Sequence, residues 1–237
     1  FLPPLEVGSA RRALALCGPH AWLLDPFGAS PRLVVELAAC GARVLTACNN
    51  PVTRFVLEGA ARPIPPPDLS TALARLASAP KDNQRLERFV LDLYLTSCSR
   101  CRAAVPADRF VWDRDQGIPV VRTYTCPACG HAGDEATDAA DRERAAGYTR
   151  RGLQHALALE QLAPAGDPDR EHAEAALAVY PGRAVFALIT LLSKATALDL
   201  EPPLRRAADA LLLSTFDAAN ALWSIAEGRT RPRQLTA

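Results

Sequence analysis

Four cysteines form two pairs with identical internal spacing. The pairs are Cys98 with Cys101 and Cys126 with Cys129, and 24 residues separate them. A Cys-x-x-Cys turn directs backbone N–H groups towards its sulfurs, and four thiolates close a tetrahedron around one metal ion. Such a ligand set leaves no open position for a water molecule. The spacing therefore predicts a structural zinc site and argues against a catalytic zinc ion.

Alternatives remain open for the ligands and for the other cysteines. His131 follows the second pair closely and could replace one of the four sulfurs. Unliganded or disulfide-bonded cysteines are a further alternative, although the paired spacing favours metal binding in a reducing compartment. The remaining cysteines, Cys17, Cys40 and Cys48, lie in apolar surroundings and are predicted to be small core residues.

The segment between the two pairs predicts a β-hairpin. Residues 109–115 and 118–125 contain strand-forming side chains, and Gln116-Gly117 separates them. A hairpin between two cysteine turns is the arrangement of a zinc ribbon, which we place at residues 98–131. Because so small a module cannot bury a sufficient core, the metal is expected to supply much of its folding free energy.

The same hairpin carries side chains that could contact nucleic acid. Phe110, Trp112 and Tyr124 could stack on bases. Charged residues surround them: Arg100, Arg102, Arg109, Arg114, Arg122, Asp108, Asp113 and Asp115. In the alternative interpretation, the aromatic rings cover the hairpin or dock it on the rest of the chain. The formal net charge is +1, so any nucleic-acid surface has to be local.

Composition places the chain among globular proteins. It has 237 residues, and its hydrophobic fraction of 49% is enough to fill a sizeable core. We find no uncharged apolar stretch of about eighteen residues and no signal-peptide pattern, so we expect a cytoplasmic protein without membrane partners. The sequence contains no methionine, even at position 1, which we interpret as the mark of a piece of a longer protein.

Apolar runs alternate with helical patterns near the start of the sequence. Residues 20–25 form a short apolar run that ends in an acid, and residues 32–41 have helical periodicity. A second apolar run at residues 43–48 precedes a helix that begins near Val52. This order of strand, helix, strand and helix predicts the opening of a parallel, doubly wound sheet.

The rest of the chain is predicted to be mainly helical outside the ribbon. Residues 62–68 are rich in proline and are expected to form an extended connector. Residues 133–144 are polar, and no element is predicted there. The predicted helices cover residues 69–79, 83–88, 151–162, 170–179, 183–198 and 203–226.

The loop after the first predicted strand resembles a cofactor loop. Its sequence, DPFGASP at residues 25–31, lies where ligands bind in doubly wound folds, against a helix N-terminus. It resembles the DPFxGxG loop of S-adenosylmethionine-dependent DNA amino-methyltransferases, and Asn50-Pro51 resembles the end of the D-x-N-P motif that follows their second strand. With the ribbon and the helical segments YPGRAVFALITLLSK and LSTFDAANALW, most of the chain is similar to adenine-specific DNA methylases that carry an inserted zinc ribbon.

That resemblance implies both a fold and an activity. The implied fold is α/β, with a Rossmann-like methyltransferase-type parallel sheet at residues 1–97 and 132–237, the inserted ribbon and a helical C-terminal part. The implied reaction is transfer of a methyl group from S-adenosylmethionine to the exocyclic amine of adenine in DNA. The residues that the resemblance assigns to the cofactor are Asp25, Phe27, Gly28, Ala29, Ser30, Cys48 and Asn50.

The sequence also departs from the pattern of that family. Ala29 and Pro31 stand where the family loop has glycines, and Cys48 replaces the acid that would bind the cofactor ribose. The catalytic tetrapeptide (D/N)PP(Y/F/W) is absent, so we assign no catalytic residue and predict that this chain is inactive. The loop could then be only the first crossover of the sheet. The alternative function is a non-enzymatic zinc-ribbon scaffold that binds DNA or protein.

Overall fold

A computed structural model describes residues 6, 8–17, 20–28, 30–113, 115–148, 152–224 and 234–235. The chain is a mixed α/β protein with 52% helix and 17% strand, which confirms the predicted class. It divides into two compact units. Unit 1 comprises Phe1–Ser70 and Glu201–Ala207, and unit 2 comprises Thr71–Leu200 and Ala208–Ala237. The predicted ribbon at residues 98–131 lies within unit 2.

Helices predominate among the described residues. The helices are α1 (Ser9–Cys17), α2 (Pro31–Ala39), α3 (Pro51–Ala61), α4 (Pro66–Ser78), α5 (Leu86–Leu93), α6 (Ala139–Ala146), α7 (Leu153–Leu162), α8 (Arg170–Leu177), α9 (Gly182–Thr196) and α10 (Pro202–Ala219). Taken one at a time, none of these helices is both long and apolar enough to cross a membrane. Only α8 and α9 together reach that length and hydropathy, across a bend of 110°.

The strands are short and form small sheets. They are β1 (Trp22–Asp25), β2 (Arg43–Thr46), β3 (Pro80–Lys81), β4 (Gln84–Arg85), β5 (Leu95–Ser97), β6 (Ala104–Pro106), β7 (Arg109–Asp113), β8 (Ile118–Thr125), β9 (Ala132–Ala136), β10 (Trp223–Ser224) and β11 (Gln234–Leu235). The largest sheet in the described part of the chain has three antiparallel strands in the order β7-β8-β9.

Unit 1 contains the predicted β-α-β motif. Strands β1 and β2 are parallel, and Asp25 is opposite Thr46 at their carboxyl ends. Helix α2 connects them and begins with Ser30 as N-cap and Pro31 as its first residue, an arrangement that suits the unpaired N–H groups of a helix start. Apolar residues of α1, of α2 and of the turn before β2 form the core of this unit: Ala10, Leu14, Leu37 and Ala42.

Among the described residues, the parallel sheet consists of β1 and β2 alone. All other strand pairs in this part of the chain are antiparallel and belong to other sheets. Parallel sheets are ordinarily covered on both faces, whereas Trp22, Leu24 and Leu45 are exposed on one face of β1 and β2. The larger Rossmann-like sheet implied by the resemblance is therefore not seen, and it stays a prediction.

Several local expectations were wrong. The proline-rich stretch is not extended throughout, because Pro66 begins α4, and a helix start requires no N–H from its first residues. The polar stretch after His131 forms β9 and α6. Cys17 and Cys40 are exposed and not in the core, because they lie at the C-terminal ends of amphipathic helices α1 and α2.

Unit 2 has its main apolar core between α5, α9 and neighbouring helices. Helix α5 places Leu86, Phe89 and Leu93 on one face, with the spacing of an amphipathic helix. These residues pack with Leu76, Ala187, Ala195 and Leu212. A smaller cluster lies at the predicted ribbon, where Val105 and Tyr124 pack against Cys98 and Cys126. This second cluster leads directly to the candidate metal centre.

Candidate metal centre

The four predicted zinc ligands lie together. The Sγ atoms of Cys98, Cys101, Cys126 and Cys129 are all within 4.8 Å of one another. The distances between Sγ of Cys98 and Cys129 and between Sγ of Cys101 and Cys126 are both 3.6 Å. A regular tetrahedron with Zn–S bonds of about 2.3 Å has edges of about 3.8 Å. The donor set therefore fits one tetrahedral zinc ion.

Each cysteine pair sits in a tight turn, called a knuckle below: residues 98–103 form the first and residues 126–131 the second. In both knuckles, the residue after the second cysteine donates its backbone N–H to the carbonyl oxygen of the first cysteine. The backbone N–H of the first cysteine in turn donates to the carbonyl oxygen of the residue two positions after the second cysteine. These bonds are Arg102 N–H to Cys98 O (2.9 Å), Gly130 N–H to Cys126 O (2.9 Å), Cys98 N–H to Ala103 O (2.9 Å) and Cys126 N–H to His131 O (2.8 Å). The two knuckles therefore share one backbone design.

That design places one residue of each knuckle in the left-handed region. The φ angle is 63° at Arg102 and 71° at Gly130. Glycine adopts this conformation without a steric penalty, whereas a side chain costs about 1–2 kcal/mol. The second knuckle has the favourable residue at this position, and the first does not.

We expect Gly130→Ala to lower the free energy of unfolding by about 1 kcal/mol, because alanine is strained at this φ angle. No atom lies within 4 Å of a Cβ added there, so the loss would come from the backbone alone. Arg102→Gly should be neutral or stabilising by up to about 1 kcal/mol, since relief of strain exceeds the entropy cost of glycine. Denaturant unfolding of the zinc-loaded variants measures both effects. Equal stability of Gly130→Ala and the wild type would contradict the assignment.

Hydrogen bonds and burial shift the pKa values of two of the thiols in opposite directions. Burial raises the pKa of Cys98, but the N–H groups of Cys101 and Arg100 and the neighbouring thiols lower it more, to about 6. The His131 N–H lowers the pKa of Cys129, but burial and the other three thiols outweigh it and raise that pKa to about 12. Metal binding at neutral pH would therefore displace protons from part of the set.

His131 is engaged elsewhere. Its Nε2 lies 2.7 Å from Oε1 of Glu135, and its ring lies beside Tyr124. The alternative in which His131 replaces a sulfur is therefore not supported. The His131 side chain lies next to the four sulfurs and hydrogen-bonds to Glu135.

A buried arginine connects the three-stranded sheet to α6. Nη1 of Arg122 lies 2.7 Å from Oδ2 of Asp138, 2.7 Å from Oδ2 of Asp141 and 2.8 Å from Oγ1 of Thr96. Asp141 is 1% exposed and also accepts from Thr96 Oγ1 at 2.7 Å. Burial lowers the pKa of Arg122, but bonds to both aspartates raise it more, so Arg122 stays charged.

Sequence reasoning missed the acidic half of this network. Asp138 and Asp141 form a capping box, in which each side chain accepts from the other residue's N–H at the start of α6. An acid three residues before another acid is a helix-start pattern, and this signal could have located α6. No comparable signal marks their pairing with Arg122, which lies on β8.

Several of the side chains predicted to contact nucleic acid are buried or form ion pairs within the protein. Tyr124 is 1% exposed, and Arg109 forms an ion pair with Asp134 at 3.1 Å. Arg100 and Arg102 are exposed, and Arg114 lies outside the described residues. These positions favour the interpretation that the aromatic side chains pack within the protein.

Phe110 and Trp112 contact a second buried arginine. The guanidinium carbon of Arg183 lies 4.4 Å from the ring centroid of Phe110, 4.6 Å from that of Tyr94 and 5.8 Å from that of Trp112. Its Nη1 donates to Leu93 O at 3.3 Å, at the C-terminal end of α5. Burial lowers the pKa of Arg183. The two rings of β7 therefore dock on α9 through cation–π contacts with Arg183.

The described residues among those implied as cofactor ligands lie at or after the carboxyl ends of β1 and β2. Oδ1 of Asp25 accepts from the N–H groups of Phe27 (3.2 Å) and Gly28 (3.0 Å). Gly28 has a φ angle of 55°, and a Cβ there would lie 2.9 Å from Ala47 O. The loop therefore packs closely against the end of β2. Phe27 is 82% exposed, and Ala29 lies outside the described residues.

The remaining polar groups of that set act as local caps. Ser30 Oγ accepts from Leu33 N–H at the start of α2. Asn50 Oδ1 accepts from the N–H groups of Val52 and Thr53 at the start of α3. Cys48 Sγ donates to Asn50 O at 3.4 Å. The structure brings Gly28 close to Cys48. The Asp25, Ser30, Cys48 and Asn50 side chains each have a hydrogen-bond partner in their own loop or at the start of the helix that follows it.

Comparison with known proteins identifies no family for this chain. No protein-family model, no curated protein and no solved structure matches it. The similarity to adenine-specific DNA methylases therefore rests on the short motifs quoted above. The chemistry that the structure itself supports is a cluster of four cysteines compatible with one zinc ion.

Proposed function

We propose that this chain is a non-enzymatic scaffold in which a structural zinc ion stabilises β7, β8, β9 and the elements around them. The observation that carries this proposal is the closed set of four sulfurs, which two knuckles of the same design present to one point. Four thiolates fill the coordination sphere of zinc, so the ion would contribute folding free energy and would not activate water.

The charge distribution supports protein, more than DNA, as the partner class. Binding to DNA depends on several free cations that neutralise phosphates. In the described part of the ribbon, Arg109 and Arg122 are paired with carboxylates, which leaves Arg100 and Arg102 exposed at the first knuckle. A formal net charge of +1 adds no general attraction for a polyanion.

A second candidate is a DNA-methylase-like protein of the S-adenosylmethionine-dependent, adenine-modifying class. The observation that favours it is the parallel pairing of β1 and β2, with Gly28 of the loop after Asp25 packed closely against Ala47 and Cys48 at the end of β2. Ligands of doubly wound folds bind at this edge of the sheet. In this proposal Asp25 orients the cofactor, and the N-terminus of α2 faces it near Ser30. Transfer of the methyl group is not expected from this chain, because it lacks the catalytic tetrapeptide.

Elemental analysis and calorimetry on one preparation test the two candidates together. The scaffold predicts one zinc ion per chain and no heat of binding at millimolar S-adenosylmethionine, because the loop's polar groups are used in capping. Saturable binding at micromolar concentration would instead support the methylase-like candidate. A preparation without zinc and with all cysteines reactive would overturn the metal centre. S-adenosylhomocysteine serves as the matched ligand for a cofactor site.

A further inference from the structure

Glu135 is the carboxylate at which the surroundings of both knuckles meet. Its Oε1 accepts from Ser99 Oγ at 2.6 Å and lies 2.7 Å from Nε2 of His131. Its Oε2 accepts from Tyr124 Oη at 3.0 Å and from Arg122 Nη2 at 3.3 Å. A carboxylate offers about four acceptor positions, and Glu135 uses all of them.

Two of these donors belong to the knuckles themselves. Ser99 lies in the first knuckle, immediately after Cys98, and His131 closes the second knuckle two residues after Cys129. The backbone N–H of His131 faces the sulfur of Cys129 while its side chain contacts Glu135. One carboxylate on β9 therefore holds a residue of each knuckle.

Tyr124 links the same carboxylate to the ligands by packing. Its ring belongs to the buried cluster that contains Cys98 and Cys126. Its Oη accepts from the backbone N–H of Ser99 at 2.9 Å and donates to Glu135. The orientation of this ring and the path of the first knuckle are therefore set by one chain of hydrogen bonds.

We propose that Glu135 is a positioning residue of the metal centre, whose carboxylate holds both knuckles in the geometry that binds zinc. This inference rests on the proposed structural zinc site. Residues that orient metal ligands without touching the metal typically contribute about 10–100-fold to metal affinity. Glutamine at position 135 would present one oxygen and one NH2 group to four donors, so at least two donors would lose their acceptor.

The donors around Glu135 stabilise its ionised form. The Ser99 hydroxyl, together with His131, Tyr124 and Arg122, lowers the pKa of Glu135 to about 2 despite partial burial. Because an ionised carboxylate only accepts hydrogen bonds, the proton on the neighbouring imidazole is on Nε2 of His131.

Competition with a chromophoric chelator measures the zinc affinity of the full chain and of Glu135→Gln. The expected result is an affinity about 10–100-fold weaker for the variant, with the cobalt-substituted form showing altered d–d bands. A residue that only stabilised the fold would leave the cobalt spectrum unchanged. Asp134→Asn is the matched control, because Asp134 is the next carboxylate on the same strand but pairs with Arg109 and Thr123. Its affinity should stay within about twofold of the wild type.

Ser99→Ala provides a milder variant in case Glu135→Gln does not fold. It removes one of the four donors and leaves the carboxylate in place, so a loss of a few-fold in zinc affinity is expected. Wild-type affinity in both variants, or an equal loss in Asp134→Asn, would overturn the role of Glu135. Failure of the zinc site itself gives a different result, because the wild-type chain would then bind no zinc at all.

Discussion

Replacing Cys126 by serine is expected to abolish tight zinc binding and to unfold the three-stranded sheet β7-β8-β9. Structural zinc sites contribute apparent free energies of about 10–16 kcal/mol in small modules, which is comparable to the whole stability of a domain at about 5–15 kcal/mol. The change also places a hydroxyl at a site that is 1% exposed, within the cluster of Val105 and Tyr124. Thermal unfolding followed by circular dichroism, with zinc content measured on the same samples, reports both effects.

Cys40→Ser is the matched control for this experiment. Cys40 is an exposed cysteine at the C-terminal end of α2, in unit 1. Its substitution should leave zinc content and the unfolding midpoint unchanged, since surface changes are usually within about 0.5 kcal/mol. Addition of a chelator to the wild type should reproduce the loss seen with Cys126→Ser. Full zinc content and an unchanged midpoint in Cys126→Ser would contradict the four-sulfur site.

Removal of the buried guanidinium by Arg122→Ala should lower the free energy of unfolding by about 3–5 kcal/mol. The change leaves the carboxylate of Asp141, which is 1% exposed, without its cation, and uncompensated buried charge is costly. For a chain of this size the loss corresponds to a decrease of about 6–20 °C in the unfolding midpoint. Denaturant and thermal unfolding of the zinc-loaded protein measure it.

Two further variants separate charge from packing. Arg109→Ala removes a comparable side chain from a partly exposed ion pair with Asp134 and should cost only about 0–1 kcal/mol. The double variant Arg122→Met with Asp141→Leu should recover much of the lost stability, because apolar side chains of similar volume can replace a buried ion pair. A loss in Arg122→Ala no larger than in Arg109→Ala would show that the network contributes little.

The cluster of four cysteines could be predicted because the pattern that marks it is local. A Cys-x-x-Cys turn confines two sulfurs to one side of a short loop, and Gly130 supplies the left-handed residue that follows it. The hairpin of β7 and β8 and the order of β1, α2 and β2 were equally local, since side-chain alternation and helix caps such as Ser30 determine them.

Strand β9 could not be located in the same way. The sequence AGDEA of β9 has few strand-forming residues, and it becomes a strand because β8 offers an unpaired edge to its backbone. Once it is there, Asp134 and Glu135 point to different partners, Arg109 and the two knuckles. The functional role we propose for Glu135 therefore depends on strand pairing and has no signature in its own segment.

The amino-acid sequence by itself determined the cluster of four cysteines, the hairpin between the two pairs and the mixed class of the fold, because each depends on residues within one turn or one strand. Tertiary structure alone decided which charged and aromatic side chains are available to a partner. Arg122 meets Asp141, and Arg183 meets Phe110 and Trp112, across long separations in the chain. Burial makes such pairings worth far more than the same residues would be in water, and burial depends on how the elements pack.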